Sequence, residues 1–317
     1  MIRKNVLHLL NEIDDLKDEY NEIHLEEAMY TPSYLIPLVS YLYQYSIEYN
    51  KFGVHQRNKN YFITIGLYRQ LWEHHDQWNR ANCGNTYSPI VRLNSIEHVD
   101  QATTEICNCI NNMVSGSKSR GIGSLYSVIG ELHDNVWSHG KSTGFSMAQS
   151  YKEFANDKRY LEFTLADKGF GLLGEMKRAG EDINDHQLAI EWCIQEGNST
   201  KHERDEDPWK QRLPSDLIGD DPMGGFGGEI SDNHHQGLGL AHLIKLVENF
   251  NGELYLVSGN MALHIKNNQR KYLRCNHDWK GVIISCRFDQ HELISSVRPN
   301  NIADQNVNDI IKRLRGD

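Results

Sequence analysis

The sequence has 317 residues, of which 39% are hydrophobic and 24% charged, a composition typical of folded globular proteins. Its formal net charge of −10 argues against a broad basic surface that would hold nucleic acid nonspecifically. The sequence contains no apolar run that approaches the roughly 20 residues needed to cross a bilayer. Its six cysteines do not occur as two closely spaced pairs, which suggests reduced thiols. We therefore predict a cytoplasmic protein.

The first segment, residues 1–85, predicts a small α/β domain. Thr31 and the proline after it provide an N-cap and a first-turn proline for a helix, while Pro37 predicts that this helix starts later or bends. A short strand is predicted at 61–65. The segment resembles the STAS-type domains of anti-sigma-factor antagonists, and that resemblance places Ser33 at a regulatory helix-start position; an ordinary α/β cap domain is the alternative.

From residue 86 to residue 290 the pattern alternates between helix and strand. The predicted helices cover 96–113, 125–139, 185–196 and 237–250, and the predicted strands cover 145–149, 161–165, 253–258, 262–265 and 282–288. Helices gathered on one face of a mixed, mostly antiparallel sheet give an α+β fold, a two-layer α/β sandwich. Residues 291–317 are predicted to form a helical tail.

The helix that starts near Leu125 carries two polar residues beside its apolar stripe. Glu131 and Asn135 are one turn apart, so they project from the same side of the helix. Asn135 offers a neutral oxygen that suits Mg²⁺, and Glu131 can take a proton from an attacking water or hydroxyl. Exposed polar residues on a helix face are the alternative interpretation.

Asp167 ends an alternating strand and is followed closely by Gly169 and Gly171. The glycines allow a sharp turn and the close approach of a flat ring. A carboxylate accepts a hydrogen bond from an exocyclic amine, so we predict that Asp167 recognises adenine. A strand-end Asx turn is the alternative.

A glycine-rich helix start follows a long irregular segment. Four residues open the predicted helix: Gly237, Leu238, Gly239 and Leu240. Their unhindered amides and the positive helix end are suited to bind phosphate. Residues 197–236 form an irregular segment that is dense in proline and glycine from its middle onward, and a loop of this length is usually functional or disordered. Thr200 at its base is a candidate phosphate contact, with an ordinary solvated loop as the alternative.

These three segments, in this order, resemble the N box and the two glycine boxes of the gyrase, heat-shock chaperone, histidine kinase and MutL (GHKL) ATPase superfamily. The resemblance covers about residues 115–288 and implies a Bergerat-type fold that binds ATP and Mg²⁺. It implies that Asn135 is the metal ligand, that Asp167 contacts adenine, and that 197–236 is the ATP lid. Glu131 would be the general base for water, or for a protein serine as in anti-sigma kinases.

We therefore expect a Mg²⁺-dependent ATP-binding protein, a slow ATPase that acts as a regulator or switch, by analogy in bacterial stress or phage defence. An unidentified protein partner and a homodimer are expected, with no membrane and no broad nucleic-acid surface. One alternative is a protein serine/threonine kinase of the anti-sigma type. Another is an ATP-gated dimerisation module without significant turnover.

Overall fold

The structure is a computed structural model that describes residues 2–17, 20, 22–74, 82–137, 142–153, 156–195, 198 and 239–295. The strands are β1 (Arg3–Lys4), β2 (Ile23–Leu25), β3 (Met29–Tyr30), β4 (Phe52–Val54), β5 (Val91–Leu93), β6 (Gly144–Lys152), β7 (Arg159–Asp167), β8 (Glu253–Lys266) and β9 (Gln269–Asp289). The helices are α1 (Val6–Glu12), α2 (Pro32–Gln44), α3 (Gln56–Thr64), α4 (Leu67–Trp72), α5 (Ile96–Met113), α6 (Arg120–Asn135), α7 (Gly171–Ala179), α8 (His186–Cys193), α9 (Gly239–Asn249) and α10 (Gln290–Ser295). Over these ranges, no helix combines the length and the apolar character needed to cross a membrane.

A five-stranded antiparallel sheet in the order β5-β6-β7-β9-β8 forms the centre of the protein. The register pairs Gly144 with Asp167 between β6 and β7, and Ala166 with Ile283 between β7 and β9. Asp167 is therefore the last residue of a strand that has a neighbour on each side. The residue predicted to recognise adenine therefore lies at the end of the central strand of the sheet.

One face of the sheet is covered by α5, α6 and α9, as the alternating pattern predicted. Ser95 and Ser119 cap α5 and α6 by accepting hydrogen bonds from backbone amides of the first turn. The predicted stripe of α6 is buried in the core against this face: Leu125, Val128, Ile129, Leu132 and Val136. Burial of that stripe fixes the rotation of α6 and thus the direction of the polar residues beside it.

The other face of the sheet is covered by the N-terminal segment. Eleven consecutive residues of α2, from 32 to 42, are buried, as expected of a helix that is enclosed on all sides. They share one core with side chains of β6, β7, β8 and β9, including Phe145, Val257 and Ile283. The sheet therefore has helices on both faces, so the two-layer prediction is incomplete. The α+β class is confirmed.

Three local predictions were wrong or incomplete. The segment predicted as a strand at 61–65 belongs to α3 and its cap, because Asn58 and Phe62, one turn apart, both face the core. Pro37 does not delay the start of α2. The two strands predicted at 253–258 and 262–265 form one strand, β8, with register shifts near Gly259. Of the predicted C-terminal tail, residues 296–317 lie outside the described residues.

Candidate functional site

A pocket opens where the end of β7 meets α6, α7, α8 and the start of α9. It encloses about 860 Å³, counting the space at its open mouth. Its apolar walls are formed by Leu132, Val136, Leu165, Leu172, Met176, Val282 and Ile284. Its polar lining includes Asn135, Asp167, Glu175 and Asn198. The pocket therefore combines apolar walls with a few polar groups, as small-molecule sites do.

The Asp167 carboxylate is one of two buried carboxylates that line this pocket, together with Glu175. Its Oδ1 accepts a hydrogen bond from the Gly169 amide at 2.7 Å. Burial raises the pKa of Asp167 to about 6, against the opposing effect of that amide. The Trp279 Nε1 donates to the Asp167 carbonyl oxygen at 3.1 Å, which fixes the backbone at this point. A rigid acceptor thus faces a mostly apolar space.

The turn after Asp167 depends on glycine. Gly171 has a φ of +68°, and a β-carbon there would lie 3.0 Å from the Ser258 Oγ. That hydroxyl accepts a hydrogen bond from the Leu172 amide at 2.9 Å, so it holds the first turn of α7 against β8. Gly171 lines the pocket, whereas Gly169 contributes through its bond to Asp167.

The start of α9 packs directly against the polar side of α6. A β-carbon at Gly239 would lie 2.9 Å from the Glu131 Oε2 and 3.7 Å from the Asn135 Nδ2. Asn135, Gly239 and Leu240 line the pocket, while Glu131 lies beside it with 23% of its side chain exposed. The Glu131 Oε1 is 3.5 Å from the Nδ1 of His242 on α9. A carboxylate, an amide and a bare backbone therefore meet at one edge of the pocket.

His133, between those two α6 residues, anchors the helix. Its ring nitrogens lie 2.8 Å from the Thr103 Oγ1 of α5 and 2.9 Å from the Ser146 Oγ of β6. Complete burial lowers the pKa of His133 to about 3, so the ring is neutral. These two bonds join α6 to a neighbouring helix and to the sheet, which holds Glu131 and Asn135 in place.

The side chain after Asp167 is directed into the N-terminal layer. The Lys168 Nζ lies 3.6 Å from the centroid of the Trp279 ring and 5.5 and 5.7 Å from those of Tyr41 and Tyr45. Burial lowers the pKa of Lys168 to about 8. Cation–π attraction in this aromatic cage stabilises the ammonium group. The loop is thus in contact with the pocket on one side and with α2 on the other.

Several predicted contacts lie outside the described residues: Gly237, Leu238, Thr200 and, except for Asn198, the predicted lid at 197–236. Conversely, the pocket contains residues that were not predicted from the sequence to belong to the site. Phe170, Glu175, Met176 and Trp192 come from α7 and α8 or their caps. The spacing of Leu172, Leu173 and Met176 is a helical signal that predicts α7.

The donor set permits Mg²⁺ only if other ligands complete its coordination. In the part of the chain that the structure describes, no three His, Cys, Asp or Glu residues form a group that could hold a metal ion. Mg²⁺ commonly uses one or two protein oxygens together with phosphate oxygens and waters. Asn135 at the pocket edge fits that limited role.

The residues brought together here come from widely separated parts of the sequence. Asn135, Asp167 and Gly239 all line one pocket. The Glu131 side chain packs against Gly239. A search against protein-family models found no match, and a comparison with curated proteins found none either.

Proposed function

We propose that this protein binds ATP with Mg²⁺ in the pocket at the end of β7 and hydrolyses it slowly, as a nucleotide-dependent switch. The observation that carries the proposal is the convergence of Asn135, Asp167 and Gly239 on one pocket. Asn135 would offer a neutral oxygen to Mg²⁺, Asp167 a carboxylate to the base, and Gly239 a helix start to the phosphates. A fold of the GHKL type, proposed from the sequence segments, agrees with an antiparallel sheet that carries α5, α6 and α9 on one face.

The base would occupy the apolar part of the pocket. Leu165, Met176 and Ile284 provide walls without hydrogen-bonding groups, which suits the faces of a flat ring. The Asp167 carboxylate accepts a hydrogen bond from the exocyclic amine of adenine. Because the pKa of Asp167 is about 6, the carboxylate is ionised at neutral pH, where an ionised acceptor binds more strongly.

The phosphates would lie toward α9 and the polar side of α6. The described part of α9 begins at Gly239, a buried residue that lines the pocket and packs against the Glu131 side chain. Asn135 would hold Mg²⁺, which neutralises charge on the phosphates when bound. Glu131, partly exposed at this edge, would accept a proton from an attacking water.

The kinase alternative gains no support from Ser33. The Ser33 side chain is buried, with the residue only 3% exposed, and its Oγ lies 2.7 Å from the Thr31 Oγ1. Its amide donates to the Glu162 Oε1 at 2.9 Å. A serine enclosed in this way is a structural helix-start residue and is not accessible as a phosphoacceptor in this structure.

The proposal is tested by calorimetric titration with ATP and Mg²⁺, followed by measurement of phosphate release. We expect binding by the wild type, slow release of phosphate, and loss of release but not of binding in Glu131→Gln. The matched control is Glu97→Gln, which changes an exposed helical glutamate on α5. Failure of the wild type to bind ATP would refute the proposal. Binding without turnover, accompanied by a change in oligomer size, would favour the ATP-gated dimerisation module.

A further inference from the structure

We infer that the Phe170 ring stacks on the base of the bound nucleotide. This inference rests on the proposed ATP site and adds a contact that the three sequence segments do not assign. Phe170 lies between the two glycines after Asp167 and lines the pocket. It supplies an aromatic face beside the group that hydrogen-bonds the edge of the base.

The Phe170 ring is exposed at the edge of the pocket. The residue is 57% exposed, and it borders a pocket with apolar walls. Scattered exposed apolar side chains are common on protein surfaces, so it is the location of this ring at the pocket that makes it available to a ligand. Trp192 of α8 lines the same pocket, so the lining contains two aromatic side chains. Aromatic side chains bind nucleobases by stacking, because every base has a π-face.

The backbone on each side of Phe170 is anchored. Before it, the Gly169 amide donates to the Asp167 Oδ1 at 2.7 Å. After it, the Leu172 amide donates to the Ser258 Oγ at 2.9 Å. Phe170 is also the N-cap residue of α7. The backbone position of Phe170 relative to the Asp167 carboxylate is therefore set before any ligand arrives, so only the side-chain torsions of the ring have to be ordered by the stack.

Stacking and hydrogen bonding would contribute differently to recognition. The carboxylate of Asp167 selects a base with an amine at its edge, whereas stacking strengthens binding regardless of the phosphates. Phe170→Ala should therefore weaken ATP and ADP binding by the same factor, about 5- to 150-fold for the loss of one base–aromatic stack. The exposed ring contributes little to the folded core, so this variant should unfold at the temperature of the wild type.

The experiment is calorimetry with Mg·ATP and with Mg·ADP on the wild type, Phe170→Ala, Phe170→Leu and Phe170→Tyr. Ile96→Ala is the matched control, because Ile96 is 62% exposed on α5 and is not part of the pocket lining. We expect Tyr to retain affinity, Ala and Leu to lose it equally for both nucleotides, and the control to behave as the wild type.

Three outcomes would overturn the stacking assignment while leaving the proposed function intact. These are unchanged affinity in Phe170→Ala, full affinity in Phe170→Leu, and a loss confined to ATP. Full affinity with leucine would mean that an apolar contact suffices, and a loss confined to ATP would place the ring near the terminal phosphate. If the wild type binds neither nucleotide, the proposed function fails, and the stacking inference fails with it.

Discussion

Replacing Asp167 with asparagine should stabilise the protein without nucleotide while weakening nucleotide binding. The asparagine oxygen can still accept the hydrogen bond that the Gly169 amide now gives to the Asp167 Oδ1. The substitution removes a charge that is buried in a mostly apolar pocket, but it also replaces one carboxylate oxygen near the Val282 amide and the Ser142 hydroxyl, so the charge effect sets the upper limit of the gain. Burial raises the pKa of Asp167 from 3.8 to about 6. That difference corresponds to about 3 kcal/mol at about 1.4 kcal/mol per pKa unit.

The sign of the effect follows from which state binds the proton more tightly. Below pH 3.8, the Asp167 carboxyl is protonated in both the folded and the unfolded chain, so it has no effect on stability. As the pH rises from 3.8 to about 6, the unfolded chain releases the proton first, and the wild type loses stability. Above pH 6 the cost is complete. The advantage of Asp167→Asn should therefore grow from about 1.5 kcal/mol at pH 5 to about 3 kcal/mol at pH 8.

The assay is urea unfolding of both proteins without nucleotide across this pH range. Asp289→Asn is a control of opposite sign: despite partial burial, the hydrogen bond from Lys158 holds the pKa of Asp289 below its usual value. That variant should lose stability at neutral pH. A difference between wild type and Asp167→Asn that does not change with pH, or a variant less stable at pH 8, would refute the reasoning. In calorimetry at pH 8, Asp167→Asn should bind ATP about 1–3 kcal/mol more weakly.

Four further substitutions test other parts of the site. Glu131→Ala should keep ATP binding and lose phosphate release, and undiminished release would remove Glu131 as the base. Asn135→Ala should abolish the Mg²⁺ dependence of binding, which a magnesium titration monitored by calorimetry would reveal. Gly239→Ala places a β-carbon 2.9 Å from the Glu131 Oε2, so phosphate release should fall in a protein whose circular dichroism is unchanged. His133 stays neutral in the folded protein because its pKa is about 3, whereas an unfolded histidine takes up a proton below about pH 6.5. Between pH 7 and pH 5 the wild type should therefore lose about 2 kcal/mol more of its unfolding free energy in urea than His133→Gln does. Equal losses in the two proteins would contradict this.

The parts of the fold that could be predicted are those in which apolar residues are periodic along the sequence. The stripe of α6 repeats every three or four residues, and apolar residues alternate along β7 up to Asp167, so each pattern identifies the side that packs in the core under α5, α6 and α9. The alternation in β7 did not show that Glu162 and Thr164, on its other face, are buried as well. Those two patterns also place Glu131 and Asn135 on one side of a helix and Asp167 at the end of a strand. The positions of these polar residues could be predicted because they depend on local geometry.

The remaining parts depend on contacts between distant segments. The residues at 61–65 have strand-like composition, yet they are helical because Asn58 and Phe62 face the core together and the Asn58 side chain bonds to Ala28. Likewise, Phe170 and Trp192 line one pocket only because α7 and α8 pack against each other and against β8. Sequence spacing does not contain that information, since the packing of whole elements determines it.

The second helical layer changes how the candidate site can be understood. The end of β7 presents the Asp167 carboxylate to the pocket. The side chain of Lys168, the first residue of the loop that follows, lies in a cage that includes Tyr41 and Tyr45 of the N-terminal layer. Trp279 completes this connection, because its ring contacts the Lys168 ammonium group and its Nε1 donates to the Asp167 carbonyl. A movement of this loop on ligand binding would therefore displace a charge buried against α2. For a nucleotide-dependent switch, the N-terminal layer would be part of the responding structure, since it is already in contact with Lys168, the residue beside the proposed base-recognising Asp167.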